Sequence, residues 1–259
     1  MTFQTNPKEH TLRYFIELAY KGTEYHGWQY QPNAASVQET LNNALSMLFR
    51  VPIDIVGAGR TDAGVHARQM FAHFDLETEM DVAYYIHKLN SFLPKDIAII
   101  DIHKVHDEAH ARFDASKRTY EYHIHRTKDA FANDDSWYYS LPLDVEKMNE
   151  ACQLLFKYID FECFSKTHTD VNTFNCTIYQ AQWEQKGDKL VFTVAADRFL
   201  RNMVRAIVGT MIEIGKGKIS LNDLETIIEG KDRSKAGFSV PAHGLFLTKI
   251  EYSYITNKE

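Results

Sequence analysis

Cysteine is scarce in this chain. Its three residues, Cys152, Cys163 and Cys176, are odd in number, lie far apart and form no Cys-x-x-Cys pair. That argues against a disulfide framework or a zinc site and favours a reducing compartment. Long apolar runs are missing as well. Ile97-Ala98-Ile99-Ile100 is typical of the longest, far short of the roughly 20 residues that cross a bilayer. The opening stretch from Met1 to Leu12 is polar and lacks the apolar centre of a signal peptide. These absences predict a soluble cytoplasmic protein without a membrane partner. Positive charge is also in deficit: 29 Lys and Arg stand against 35 Asp and Glu, a net charge of −6. An acidic average counts against a phosphate-bearing partner unless basic residues are gathered locally.

Basic residues are gathered in two places. Arg198, Arg201, Arg205, Lys216 and Lys218 fall within one stretch that holds a single acid, Glu213. Arg112, Lys117, Arg118, Arg126 and Lys128 form a second, interleaved with His110, His123 and His125. Charge alone leaves each as either a solvated face or a phosphate-binding patch. The chain is 44% hydrophobic, with 14 Tyr and 16 Phe among its 259 residues. That is enough apolar matter for a real core, and the aromatics serve equally as core filler or as platforms for nucleobases.

Periodicity sorts the chain into elements. Leu12 to Tyr20 reads as a strand ending at Lys21-Gly22. Ser36-Val37-Gln38-Glu39 has the form of a capping box before a helix carrying Leu41, Ala44, Leu45 and Leu48. Ile53 to Val56 and Gln69 to Leu76 read as strands, Asp81 caps a helix that Pro94 ends, and Ile97 to Val105 is a strand. The order then repeats. Arg118 to His125 is a strand, and Asp144 caps a helix through Phe156. Cys176 to Glu184 and Leu190 to Ala196 flank a hairpin turn at Lys186-Gly187-Asp188. Phe199 to Ile214 carries a strong apolar helical face, Leu221 to Glu229 is a short helix capped by Ser220, and Leu245 to Tyr254 is a closing strand.

The expected class is α+β: two tandem ferredoxin-like (RRM-like) βαββαβ halves forming antiparallel sheets with helices on one face. The halves are placed at 1–109 and 110–259, the first with the glycine loop described below. Such sheets leave one face free, and a face lined with aromatic and basic residues suits RNA.

Gly57-Ala58-Gly59-Arg60-Thr61-Asp62-Ala63-Gly64-Val65-His66 packs three glycines around an arginine and an aspartate. No Gly-Lys-Ser or Gly-Lys-Thr follows, so it is not a phosphate loop of Walker type, and a dinucleotide loop would need a third glycine and a helix. Asp62 reads either as an Asx-turn residue or as a nucleophile. Arg60 and Asp62 stand two apart, so an extended backbone would point both to one side, an arrangement that suits base extrusion followed by attack. His66, His110 and His243 show no spacing of a ligand set, so no metal site is expected.

The loop resembles the signature of the tRNA pseudouridine synthase A family, and four further segments resemble that family in its order. They are Tyr20-Lys21-Gly22-Thr23-Glu24-Tyr25-His26-Gly27-Trp28-Gln29, His110-Ala111-Arg112-Phe113-Asp114-Ala115 with Arg118-Thr119-Tyr120-Glu121-Tyr122, Phe199-Leu200-Arg201-Asn202-Met203-Val204-Arg205, and Pro241-Ala242-His243-Gly244-Leu245-Phe246-Leu247. The resemblance implies an isomerase that turns uridine into pseudouridine at positions 38, 39 and 40 of the tRNA anticodon stem-loop, working as a homodimer without cofactor. It makes Asp62 the catalytic carboxylate, Arg60 the side chain that enters the helix as the uridine leaves, Tyr120 the platform under the flipped base and Arg205 the partner of Asp62. Arg112 and Arg201 are implied substrate contacts, with Arg198 and Lys117 as further phosphate contacts. Read without it, Arg205 is equally a surface arginine of an amphipathic helix and Tyr120 a core residue. The chain departs from the pattern at Phe156 to Phe161, where a glycine is expected before Asp160-Phe161, and Lys166 to Thr173 carries no assignable feature. A catalytically silent RNA-binding protein and a hydrolase pairing Asp62 with a histidine are the competing readings.

Overall fold

Alternation along Leu12–Tyr20 (β1) puts Tyr14, Ile16, Leu18 and Tyr20 on one side of the strand, all buried. The computed structural model describes residues 11–167 and 171–255. The polar start up to residue 10 and residues 168–170 of the featureless stretch lie outside them. After β1 come α1 (Val37–Phe49), β2 (Val56–Gly57), β3 (His66–Leu76), α2 (Val82–Phe92) and β4 (Ile97–Lys104). The later elements are β5 (Lys117–His125), β6 (Trp137–Tyr138), α3 (Val145–Leu155), β7 (Ile178–Lys186), β8 (Lys189–Ala196), α4 (Met203–Gly215), α5 (Leu221–Gly230) and β9 (Leu245–Glu251). The α+β class holds. The strands form one continuous sheet rather than two, in the order β4-β1-β3-β9-β5-β8-β7, with β2 against β3 and β6 against β5.

Capping chemistry sets the helix starts. Ser36, Asp81 and Asp144 each accept a hydrogen bond from the backbone N–H three residues on, worth about 1 kcal/mol apiece. The reciprocal capping box is made at Ser220 and Asp223, at the start of α5. The expected helix from Phe199 is shorter than its apolar pattern suggested. Asn202 takes a left-handed conformation (φ 67°, ψ 0°), so α4 starts only at Met203, and Phe199 to Arg201 become a loop. From there α4 is buried almost all round, more than the one apolar face of an amphipathic helix would require. It packs on α3, while Gly209 and Gly237 let the loop ahead of β9 cross it at backbone contact.

Two apolar cores result, one under α1 and α2, the other around α3, α4 and α5. The sheet face expected to be free is partly covered, because the Tyr252 and Tyr254 rings pack against Phe15 at steep angles with centroids 5.2 and 6.1 Å away. The join between the cores matters most for the site. β3 meets β9 in a parallel ladder of two pairs, His66↔Phe246 and Ala67↔Leu247, and further along takes β2 as its neighbour at Ala72 and His73. Where the ladder stops, the Gln69 side chain takes over and accepts from the Ile250 N–H at 2.8 Å. The glycine loop leaves β2 and returns at the start of β3, so it sits at this fork in the sheet.

Candidate active site

The loop from Ala58 to Val65 is fixed at many points. Ala58 N–H donates to the Phe71 carbonyl at 2.8 Å, and Trp28 N–H donates to the Thr61 carbonyl at 3.3 Å. Thr61 Oγ1 and the Tyr20 hydroxyl share a hydrogen bond of 2.8 Å. The turn closes through Val65 N–H on the Asp62 carbonyl, with Gly64 at φ 80°, a conformation that favours glycine. The turn is thus closed by backbone, and among the described residues the Asp62 carboxylate caps none of it. The Asx-turn reading of Asp62 does not hold.

The carboxylate instead faces two arginines. Arg205 Nη1 donates to Asp62 Oδ2 at 3.1 Å, and Arg201 Nε stands 3.9 Å from Oδ1. Side-chain exposures of 24% for Asp62 and 20% for Arg205, against 60% for Arg201, rank the two contacts. The first is shielded from water and directional; the second is largely screened. Arg205 lies in the first turn of α4, and its Nε donates to the Val240 carbonyl at 2.7 Å, which fixes the plane of the guanidinium.

The rings of Tyr120, on β5, and Phe199 stand nearly perpendicular, at 85°, with centroids 5.1 Å apart. Burial pushes its phenol up to about 12; the Arg118 charge works against that rise, and the Asp62 charge adds to it. Tyr120 is therefore within electrostatic reach of the carboxylate and stays protonated at neutral pH. Its hydroxyl has no protein hydrogen-bond partner among the described residues. Arg60 is exposed, and among the described residues its side chain makes no hydrogen bond or ion pair. The two side chains expected on one side of the loop thus differ: Asp62 is tied down and Arg60 is free.

Of the other expected contacts, Arg112 is exposed and lies over the Phe113 ring at 5.8 Å. Arg198 Nη1 donates to the Thr173 carbonyl, and Lys117 pairs with Glu251. The two basic stretches do not form two patches. Lys216 and Lys218 both pair with Glu213 at the far end of α4, away from Arg205. In the other stretch Arg126 donates to the Leu141 carbonyl, and Arg118 is turned inward onto four carbonyls. His66 is structural: its Nδ1 accepts from Gly22 N–H and its Nε2 donates to the His243 carbonyl. His110 Nδ1 likewise accepts from the backbone of Arg112 and Phe113. Among the described residues no group of three or more His, Cys, Asp or Glu could hold a metal ion, and no helix is long and apolar enough to cross a membrane.

Three features escaped the sequence reading: the Tyr20–Thr61 bond, the inward turn of Arg118, and Phe199 against Tyr120. Tyr20 alternates in phase with Leu18 and Ile16, a signal that it points into the core where the loop must land. Nothing in the local pattern distinguishes a buried Arg118 from an exposed one.

Known proteins are similar to this sequence across nearly the whole chain. The family described as tRNA pseudouridine synthase matches residues 18–114 and 151–253. The first span holds Arg60, Asp62 and Arg112 and the second Arg201 and Arg205, while Arg118 and Tyr120 fall between them. The chain is 56% identical over 243 residues to tRNA pseudouridine synthase A of Parabacteroides distasonis, covering 93% of this chain and 96% of that protein. Against the protein of that name from Bacteroides fragilis it is 54% identical over 242 residues, covering 93% and 96%. Against that from an Exiguobacterium species it is 38% identical over 238 residues, covering 92% and 97%.

Proposed function

Because this chain belongs to the tRNA pseudouridine synthase A family, we propose that it isomerises uridine to pseudouridine in the anticodon stem-loop of tRNA, at positions 38, 39 and 40. Asp62 is the nucleophile, and the target base is flipped out of its helix to reach it. The observation that carries this reading is the Asp62 carboxylate held 3.1 Å from Arg205 beside a partly open Tyr120 ring, with an unpaired Arg60 on the same loop.

The chemistry asks for this set. The N1–C1′ bond breaks, the uracil turns, C5 joins C1′, the C5 proton leaves and N1 gains one. No electrons are exchanged with another molecule. An ionised carboxylate is the nucleophile whether it attacks C1′ or the ring, and Arg205 keeps it oriented. A base cannot be reached inside a duplex, so it must leave the stack, and a free guanidinium at a loop tip can fill the place it vacates. Tyr120 offers the flipped uracil a π-face, worth about 1–3 kcal/mol. Arg112 and Arg201 are exposed cations beside the site and serve as substrate contacts.

The same reading extends to architecture. The halves 1–109 and 110–259 are tandem ferredoxin-like units, each contributing part of the site, and two chains form a homodimer that pools its basic surface around one tRNA in the cytoplasm. The test is release of tritium from tRNA labelled at uridine C5, using tRNAs that each lack one of the three uridines. Release that falls when each of the three uridines is missing supports the proposal, and release undiminished in all three variants, or none above background from any tRNA, overturns it.

A further inference from the structure

We infer that Arg118 is a positioning residue for the proposed isomerisation: a half-buried guanidinium that clamps together the three loops from which the site is built. The inference rests on the functional reading above but on different atoms.

Arg118 is the second residue of β5 and stands two before Tyr120, so the two side chains leave the same face of the strand. Its Nη1 donates to the carbonyls of Asp197 at 2.8 Å and Ala115 at 3.2 Å. Its Nη2 donates to the carbonyls of Ala58 at 2.9 Å and Arg112 at 2.8 Å. Each of these acceptors belongs to a segment that carries a site residue. Ala58 leads into Arg60 and Asp62. Asp197 leads into Phe199, which abuts Tyr120, and into Arg201, which faces Asp62. Arg112 is itself a proposed contact.

Charge neutralisation does not explain the residue. Among the described residues no carboxylate lies within ion-pair distance of Arg118, and Asp197 Oδ1 accepts from the Thr177 and Arg198 amides at 2.7 Å each. Burial pulls the guanidinium pKa down, helped by the Arg112 charge and opposed by Tyr120, Tyr252 and the more distant Asp197 charge; the direct contacts of the cation are carbonyl dipoles. What the site gains is geometry. A planar fork with two terminal nitrogens can serve four acceptors arriving from three chain segments, and a lysine ammonium with three donors on one atom cannot. The clamp thereby sets where the Asp62 loop lies relative to Tyr120 on the strand beneath.

The experiment compares wild type, Arg118→Ala, Arg118→Lys and Asp62→Asn in single-turnover tritium release, with tRNA affinity and melting temperature measured in parallel. Displacement of reacting groups by about an ångström costs on the order of a hundredfold in rate. Both Arg118 variants are expected to lose that much while tRNA affinity stays near wild type. Free guanidinium chloride, well below denaturing concentration and against matched potassium chloride, should restore part of the Arg118→Ala rate and none of the Asp62→Asn rate. Should Arg118→Ala fail to melt cooperatively, Arg118→Lys, which keeps stem and charge, carries the comparison of rate with affinity. A wild-type rate in Arg118→Lys overturns the clamp, as does affinity falling in step with rate. Guanidinium that restores the melting temperature without the rate makes Arg118 merely structural and also overturns it. A wild type that releases no tritium removes the functional reading and the clamp together; an active wild type with unaffected Arg118 variants removes the clamp alone.

Discussion

Asp62 and Arg205 stand 143 residues apart in the chain and meet at 3.1 Å, while Nε of the same guanidinium is held on the Val240 carbonyl at 2.7 Å. The arginine is therefore fixed before it touches the carboxylate, and the carboxylate inherits that fixity. Arg205→Ala should lower the single-turnover rate by about 10- to 100-fold, the worth of a charge-assisted hydrogen bond of roughly 1.5–3 kcal/mol. Arg205→Lys keeps the charge but cannot hold Val240 and Asp62 in one plane, so it should recover only part of the loss. Asp62→Asn should abolish turnover with tRNA affinity nearly intact. An Arg205→Ala enzyme at wild-type rate would show that the pair plays no part in the chemistry.

Tyr120 has two separable parts. Its ring offers a stacking face, and its hydroxyl is a protonated donor without a protein acceptor among the described residues. Tyr120→Phe removes only the hydroxyl, and a neutral hydrogen bond of about 0.5–1.5 kcal/mol sets a loss of up to roughly tenfold. Tyr120→Ala also removes the stack, a further cost of about 1–3 kcal/mol. The expected order of single-turnover rates is wild type, then Phe, then Ala. Equal rates for all three would remove Tyr120 from the site.

Much of this was legible from residue order, and the parts that were not share a cause. Helix starts follow from one side chain bonding to the amide three residues on, so Asp81, Asp144 and Ser220 could be placed from sequence. The start of α4 could not, because the apolar pattern runs on through Phe199 and Leu200 while the left-handed turn at Asn202 belongs to packing against Ser239. Tyr120 and Arg205 were named from a family resemblance alone; spacing drew attention to Arg60 and Asp62 but left Asp62 open as a turn residue or a nucleophile. The contacts of Asp62 come from α4 and the loop just ahead of it, in the other half of the chain, and no local pattern carries that distance. Arg118 shows the limit most clearly: an arginine at a strand start in a basic stretch looks solvated, and only the meeting of three loops turns it inward.

The glycines of the loop separate into different requirements. A Cβ on Gly57 would drive into the Trp28 indole, whereas one on Gly59 would meet no atom within 4 Å. Gly57→Ala should therefore destabilise the fold by about 1–3 kcal/mol, the usual cost of overpacking. Gly59→Ala should leave urea unfolding unchanged, because its backbone is not left-handed and its surroundings are open. If RNA approaches the loop at Gly59, the same variant should bind tRNA more weakly. Equal urea midpoints for the two variants would contradict the steric account.

His73 makes stability depend on pH in a stated direction. It is 6% exposed, and its Nδ1 accepts the Ala111 N–H at 3.1 Å, bracing the segment that carries Arg112. Burial lowers its pKa from 6.5 to about 4, aided by Arg13 and His110, with Asp75 and Asp114 opposing. Between those values the unfolded chain binds a proton that the folded chain refuses. The contribution is therefore complete above about pH 6.5 and is lost as pH falls toward 4, up to about 3 kcal/mol. Carboxylates titrate across the lower part of the same window, so wild type alone cannot isolate the effect. His73→Asn places an amide oxygen where Nδ1 stood and cannot take up the proton. Urea unfolding at pH 7 and pH 5 should show a smaller stability loss in the variant than in wild type. Equal losses would mean that His73 does not carry the acid sensitivity.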